Sequence, residues 1–205
     1  GSEMCIRDRG AEVRTVGRSQ DDAFVEARRL VNEEGMTLIE PFDDPLIVAG
    51  QGTIGLELME DLPELDRVLV GLSGGGLLGG IGRAVRAINP HVQVTGVSMM
   101  KGAAMIESLA AGRPVAIDEV ETLADSLGGG IGLENRCTWA LVREVMSDHC
   151  QVSEHAIAAA MVHFLEVEKM LVEGAAVVGL AALEEHAIDI RGEHVALIVS
   201  GNGVD

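Results

Sequence analysis

Hydroxyls, glycines and a handful of nucleophiles are the groups in this chain that could do chemistry. Ser73 heads the run Ser73-Gly-Gly-Gly-Leu77, which follows an apolar, β-forming stretch at 68–72 and precedes helical spacing at 77–88. A strand, a glycine turn and a helix in that order gather backbone N–H groups at the positive end of the helix. Such a turn takes up anions, phosphate above all, because no Cβ blocks the approach and the first amides of a helix lack acceptors. Three consecutive glycines carry an entropic cost that a plain turn does not need. Gly74-x-Gly76-x-x-Gly79 also spells a dinucleotide fingerprint, and a nicotinamide site would need a carboxylate at the end of the next strand. That strand ends in Gly96-Val-Ser-Met-Met100, with no acid before Glu107. A Rossmann-type NAD(P)-dependent oxidoreductase is therefore the lesser alternative, beside a module that binds a phosphorylated small molecule without catalysis. Gly71-Leu-Ser-Gly-Gly75 fits the letters of a hydrolase elbow as well. That reading needs an acid and a histidine further along, and His194 opens a strand rather than following one.

The remaining reactive groups are sparse. The histidines (His91, His149, His155, His163, His186, His194) are scattered. His155 and His163 share a helix face with no third group spaced to join them, so they read as helix-face side chains and no metal site is expected. Lys101 follows a strand end and Lys169 lies in a helix; both read as surface charges. Cys5, Cys137 and Cys150 are odd in number without a C-x-x-C pair, which points to a reduced, cytoplasmic compartment.

The elements that must position these groups alternate. Strands are expected at 11–16, 36–40, 68–72, 92–98 and 194–200, with Pro41 closing the second. Ser19-Gln-Asp-Asp22 has the capping-box pattern before a helical face of Phe24, Ala27, Leu30 and Val31, which Gly35 stops. Asp43-Asp-Pro45 starts a turn into a helix through Met59, and Asn89-Pro90 is a stop signal. Short helices are expected at 102–109 and 138–146, a long one capped by Ser153 and reaching about Leu171, and another from Glu173 to about His186. This order predicts an α/β fold: an open, mostly parallel sheet with helices on both faces and ligands at the carboxyl ends of the strands. Residues 1–9 match no targeting pattern and read as a foreign leader.

Composition narrows the partners. The chain has 205 residues and a formal net charge of −18, which argues against nucleic acid or an anionic membrane as a partner. The longest strongly apolar run, 175–183, is far short of the roughly 20 residues of a membrane span.

Four stretches occur together and in order: Ala49-Gly-Gln-Gly-Thr53, Ser73-Gly-Gly-Gly-Leu77, Val172-Glu-Gly-Ala175 and Ser200-Gly-Asn-Gly203. With them the chain, from Gly10 to Asp205, resembles the serine/threonine dehydratases, pyridoxal-phosphate enzymes of the tryptophan-synthase-β-like fold. Thr122-Leu-Ala-Asp-Ser-Leu-Gly-Gly-Gly-Ile-Gly-Leu-Glu-Asn135 is similar to the dehydratases of hydroxyectoine utilisation more than to biosynthetic threonine dehydratase or serine racemase.

The resemblance implies roles. The amides of Ser73, Gly74, Gly75, Gly76 and Leu77 would hold the phosphate of pyridoxal 5'-phosphate, and Ser200 would hydrogen-bond the pyridine nitrogen. A hydroxyl there leaves the ring a mild electron sink, suited to eliminating a β-hydroxyl. Ser126, Gly128 and Gly129 would lie beside cofactor or substrate. Glu173 would lie near the cofactor, or serve as a first-turn helix residue favoured by the dipole. The implied activity removes water and then ammonia from a small hydroxy-amino acid, leaving a keto acid, in a homo-oligomer at full length. A family metal carboxylate has no counterpart, its place being held by Ser98.

The family's catalytic lysine, in a Ser-x-Lys context, is missing too, and pyridoxal-phosphate chemistry needs it to hold the cofactor and move the α-proton. The chain is thus expected to be a carboxyl-terminal part: residues 10–35 the end of the small domain, residues 36–205 the large cofactor-binding domain. Alone it is expected to be inactive and to leave apolar surface exposed where the lost segment packed.

Overall fold

The computed structural model describes residues 6–17 and 20–203. The predicted cap Ser19 and residues 1–5 of the expected leader lie outside them.

Four strands form one sheet: β1 (Arg67–Gly71), β2 (Gln93–Met99), β3 (Asp148–Val152) and β4 (Val195–Leu197), in the order β3-β2-β1-β4. Every pairing is parallel; Leu69 sits opposite Thr95 on one side and Leu197 on the other. Ahead of the sheet come α1 (Gln20–Glu34) and α2 (Pro45–Asp61), and between β1 and β2 runs α3 (Gly76–Ile88). Helices α4 (Ala104–Ala111) and α5 (Thr138–Val145) precede β3; α6 (Glu154–His163) and α7 (Val178–Glu184) separate β3 from β4. The expected α/β sheet with helices on both faces is what forms.

The alternation along β1 sets the two layers. Val68, Val70 and Leu72 pack on one face with Met59 of α2, Ile81 and Val85 of α3 and Val142 of α5. Leu69 points to the other face, against Ile157 and Ala160 of α6 and Ala181 of α7. β1 is covered on both faces, which is why 68–72 reads as an apolar run; β2 is buried along most of its length too but takes in the polar Thr95 and Ser98. The Ala49-to-Thr53 motif lies in α2, where small residues draw two helices together. A Cβ on Gly80 of α3 would stand 2.4 Å from the Val48 carbonyl oxygen, and one on Gly55 2.8 Å from the Ile81 carbonyl oxygen.

At the amino edge of the sheet, polar groups knit strands together. The buried Arg67 guanidinium donates to Glu193 (2.6 Å), to Asp148 (2.9 Å) and to the Thr95 hydroxyl (2.8 Å), spanning from β3 to the approach to β4. Asp66 accepts from the backbone N–H of His194 at 2.8 Å.

Several expectations are corrected. Residues 11–16 and 36–40 form no strand: a strand is defined by its ladder, and neither segment finds a neighbour to pair with among the described residues. Conversely, Asp148–Val152 is a strand that the sequence pattern hides. It is the sheet edge, paired to β2 alone, and edge strands carry polar residues such as its Asp148, His149 and Gln151. The helix from Ser153 is α-helical to His163 and continues as a π-helical turn over Phe164–Glu168, stopping short of Leu171 where Lys169, at φ 58°, ends it. Ser153 does cap it, accepting from the Ala156 N–H at 3.2 Å. From Glu173 the chain makes a tight turn, Gly174–Ala176, before α7 starts at Val178. Apolar side chains stand open on the early part, with Leu46 82% and Ile39 72% exposed. Among the described residues no helix is long and apolar enough to cross a membrane.

Candidate functional site

The carboxyl ends of β1 and β4 are neighbours. Leu69 lies opposite Leu197, and the Ile198 N–H donates to the Leu69 carbonyl at 3.1 Å. Ser73 stands two residues beyond the end of β1 and Ser200 three beyond the end of β4. Both tips open into one cavity of about 360 Å³, within the usual size range of small-ligand sites. Ser73, Gly74, Gly75, Gly76 and Leu77 form one wall, and Ser200, Glu173, Ser126 and Gly128 complete it. Gly129 does not reach the cavity; it is buried at φ +91°, its Cα facing the Gln20 side chain.

The glycine wall offers donors. Gly75 caps α3 at φ 87°, a left-handed conformation that favours glycine, and the Gly79 N–H closes back on the Gly75 carbonyl at 2.8 Å. Among the described residues the amides of residues 73–77 have no protein acceptor. Residues 74–76 are buried all the same, and buried orphan amides at a helix start need an acceptor from elsewhere.

The reason for glycine, however, differs from the open approach that the sequence suggests. A Cβ on Gly74 would stand 2.3 Å from Phe42 Cγ, and one on Gly76 3.1 Å from Phe42 Cβ. On Gly75 it would meet Met105 Cε and Val142 Cγ2 at 2.8 Å. The missing side chains make room for protein packed against the turn.

Glu173 lines the cavity and caps no helix with its side chain. Its carboxylate accepts from the Ser126 hydroxyl at 3.1 Å, while its backbone N–H donates to the Gly201 carbonyl at 3.2 Å. A Cβ on Gly201 would come within 2.3 Å of that carboxylate. The acid is thereby held beside Ser200, whose hydroxyl has no partner among the described residues.

Two residues that matter here went unnoticed in the sequence. Phe42 covers the glycine turn. Asp43 crosses to the start of α5, where its carboxylate accepts from the backbone N–H groups of Cys137 (3.0 Å) and Thr138 (2.9 Å), from that of Arg136, and from the Thr138 hydroxyl (3.0 Å). Burial pushes the Asp43 carboxyl up, but the amides of Arg136, Thr138 and Cys137 outweigh it and hold it below the ordinary range. Burial and the same carboxylate push the Cys137 thiol up to about 11. The pattern Phe42-Asp-Asp-Pro45 signals a turn and a helix start, which it is; a contact to residues so far along the chain leaves no local trace.

No lysine lines the cavity. Lys101 is exposed, and Lys169 donates from Nζ to the Glu166 carbonyl in the turn after α6. His163 pairs with Glu184 at 2.8 Å, away from the cavity. Among the described residues no three His, Cys, Asp or Glu side chains are grouped to hold a metal.

Comparison with known proteins bears on this site. Residues 1–201 match the family described as pyridoxal-phosphate dependent enzymes. Over 200 residues the chain is 50% identical to a Sinorhizobium fredii protein named as a threonine dehydratase, covering 98% of this chain and 60% of that relative. Maize serine racemase superposes with a TM-score of 0.90 at 32% identity, over 100% of this chain and 64% of the other. The processed form of threonine deaminase isoform 2 from Solanum lycopersicum superposes with a TM-score of 0.87 at 29% identity, over 99% and 56%. The fold is thus the tryptophan-synthase-β-like one, and this chain spans about 60% of the length of the first of these relatives.

The family's cofactor is pyridoxal phosphate, and the donors present fit its phosphate end. Buried amides without acceptors and a left-handed glycine at a helix start are what a phosphate monoester needs, with an unpartnered hydroxyl at the adjacent strand tip. Matched along nearly its whole length and folded as these enzymes are, the chain belongs to the pyridoxal-phosphate dependent enzyme family, in its threonine dehydratase and serine racemase-like part.

Proposed function

We propose that this chain is the cofactor-cradling portion of a dehydratase that acts on a small hydroxy-amino acid, removing water and then ammonia to leave a keto acid. Residues 36–205 would be the large domain, residues 10–35 the end of the small one, and the catalytic lysine would come from sequence outside this chain. The observation that carries the reading is the shared cavity: orphan amides at 73–77 and the hydroxyl of Ser200 open into one space.

Pyridoxal phosphate, when bound, supplies an electron sink for negative charge at the substrate's α-carbon. The amides of residues 73–77 would hold its phosphate. Ser200 would face the pyridine nitrogen, and as a neutral hydroxyl it would leave that nitrogen without a proton. Glu173, kept in place by Ser126 and the Gly201 backbone, would stand beside Ser200, and Gly128 would border the substrate. The cavity itself offers no amine to take a proton from the α-carbon, so the chain by itself would bind without turning over. The resemblance of the segment 122–135 to hydroxyectoine-utilisation dehydratases makes hydroxyectoine breakdown one setting for this activity, beside threonine or serine breakdown.

The test is reduction with borohydride in the presence of pyridoxal phosphate, followed by peptide mapping, alongside a keto-acid assay with threonine and serine. Saturable binding with neither covalent label nor keto acid is expected. A label on Lys101 or Lys169, or turnover by this chain alone, would contradict it.

A further inference from the structure

Resting on that reading, we infer that Phe42 is a positioning residue for the phosphate cradle: its ring is the wedge that sets the shape of the glycine turn. The loop at 41–44 reaches the turn from the start of α2 and is fixed at both of its acids. Asp44 caps α2, accepting from the Leu46 N–H at 2.7 Å, and Asp43 accepts from the start of α5 through the backbone amides of Cys137 and Thr138. Between these anchors Phe42 has little freedom. Its ring fills the volume that a side chain at Gly74 would need, 2.3 Å from an added Cβ, and its Cβ lies 3.1 Å from the corresponding point on Gly76.

The consequence follows from what the turn lacks. The amides of residues 73–77 make no hydrogen bond to the protein that would hold them in register. Their directions depend on packing instead, with Phe42 on one side and Met105 and Val142 on the other. The aliphatic pair belongs to the core of the fold. Phe42 alone of the three also lines the cavity. Removing its ring frees the turn; because Phe42 also packs against the edge of that core, it costs some stability as well. Misplacement by about 1 Å can cost as much as two orders of magnitude where several contacts must coincide.

The experiment is a titration of the whole 205-residue chain with pyridoxal 5'-phosphate and, separately, with pyridoxal, which lacks the phosphate, for the parent and for Phe42→Ala and Phe42→Leu. Thermal melting without ligand is followed in parallel. The expected result is that the parent prefers the phosphorylated compound, and that Phe42→Ala cuts this preference about tenfold, over and above whatever it costs in melting temperature and in pyridoxal affinity. Phe42→Leu, which keeps apolar bulk, should restore part of the preference. Equal preference in parent and Phe42→Ala would overturn this inference and leave the cradle standing. A lowered melting temperature with both affinities falling together in Phe42→Ala and Phe42→Leu would also overturn it, marking Phe42 as ordinary core. No preference in the parent would overturn the cradle itself, and this inference with it. If Phe42→Ala does not fold, Phe42→Val is read in its place by the same ratio, and an unchanged ratio overturns the inference.

Discussion

The two edges of the sheet carry polar groups in opposite conditions. At the amino edge the Arg67 guanidinium is shared among Glu193, Asp148 and Thr95, and Asp66 holds the His194 backbone. At the carboxyl edge the amides of residues 73–77 and the Ser200 hydroxyl have no protein partner among the described residues. A polar group buried in a fold and already bonded has its work within the fold. One left buried and unbonded, as at residues 74–76, is a standing cost that a ligand relieves, while the Ser200 hydroxyl beside them stands open to solvent. Saturated bonding at one edge and open donors at the other therefore separate what holds the molecule together from what it binds with.

Breaking the saturated edge should give the largest effect. Arg67→Ala removes the buried guanidinium's hydrogen bonds to Glu193, Asp148 and Thr95 and should cost about 3 kcal/mol in urea unfolding, the carboxylates left behind being partly open to solvent. Affinity for pyridoxal phosphate should hardly change. A large loss of affinity with little loss of stability would dissolve the distinction between the edges.

Gly75→Ala attacks the open edge through its backbone. A left-handed alanine and contacts at 2.8 Å with Met105 and Val142 should together cost about 2 kcal/mol. Binding should be lost as well, measured by titration of the folded variant. Unchanged binding would show that the turn is not the cradle.

Asp43→Asn tests the strap between the edge and α5; it keeps an acceptor but removes the negative charge at the helix start, with an expected cost of about 1 kcal/mol. The sign with pH follows from the lowered carboxyl. The folded protein binds that proton less readily than the unfolded chain, whose aspartate titrates near about 3.9. The stabilisation is therefore complete above about pH 4 and fades as pH falls through the lower folded value. The difference between parent and Asp43→Asn should shrink below about pH 4; a gap that widens on acidification would contradict the assignment.

Ser200→Ala is the smallest change to the fold. An exposed hydroxyl without partners should be removable within about 0.5 kcal/mol, yet one lost hydrogen bond should weaken pyridoxal-phosphate binding about threefold to tenfold. Equal affinity in the variant would take Ser200 out of the site.

These contrasts also show where sequence reasoning reaches and where it stops. The central strand, its glycine turn and the Ser200 tip were legible because each is a local pattern: a fully buried parallel strand reads as an apolar run, and a left-handed cap demands glycine. That the Ser73 and Ser200 tips would serve one cofactor came from the resemblance and not from either segment alone. Asp148–Val152 escaped notice because an edge strand has one partner and keeps its polar residues. Residues 11–16 and 36–40 have strand-like composition without a ladder, since β-propensity expresses a fit to neighbours more than a backbone preference. The Phe42 wedge and the Asp43 strap are contacts across the chain, where only the fold shows what a turn residue touches.

The central claim is most directly tested by the backbone amide spectrum of the 15N-labelled chain during addition of pyridoxal 5'-phosphate. The account expects the largest shifts at residues 73–77, a smaller set around Ser200 and Glu173, and silence around Arg67 and Glu193. Shifts spread evenly over the surface, or gathered at the Arg67 edge with residues 73–77 unmoved, would contradict it.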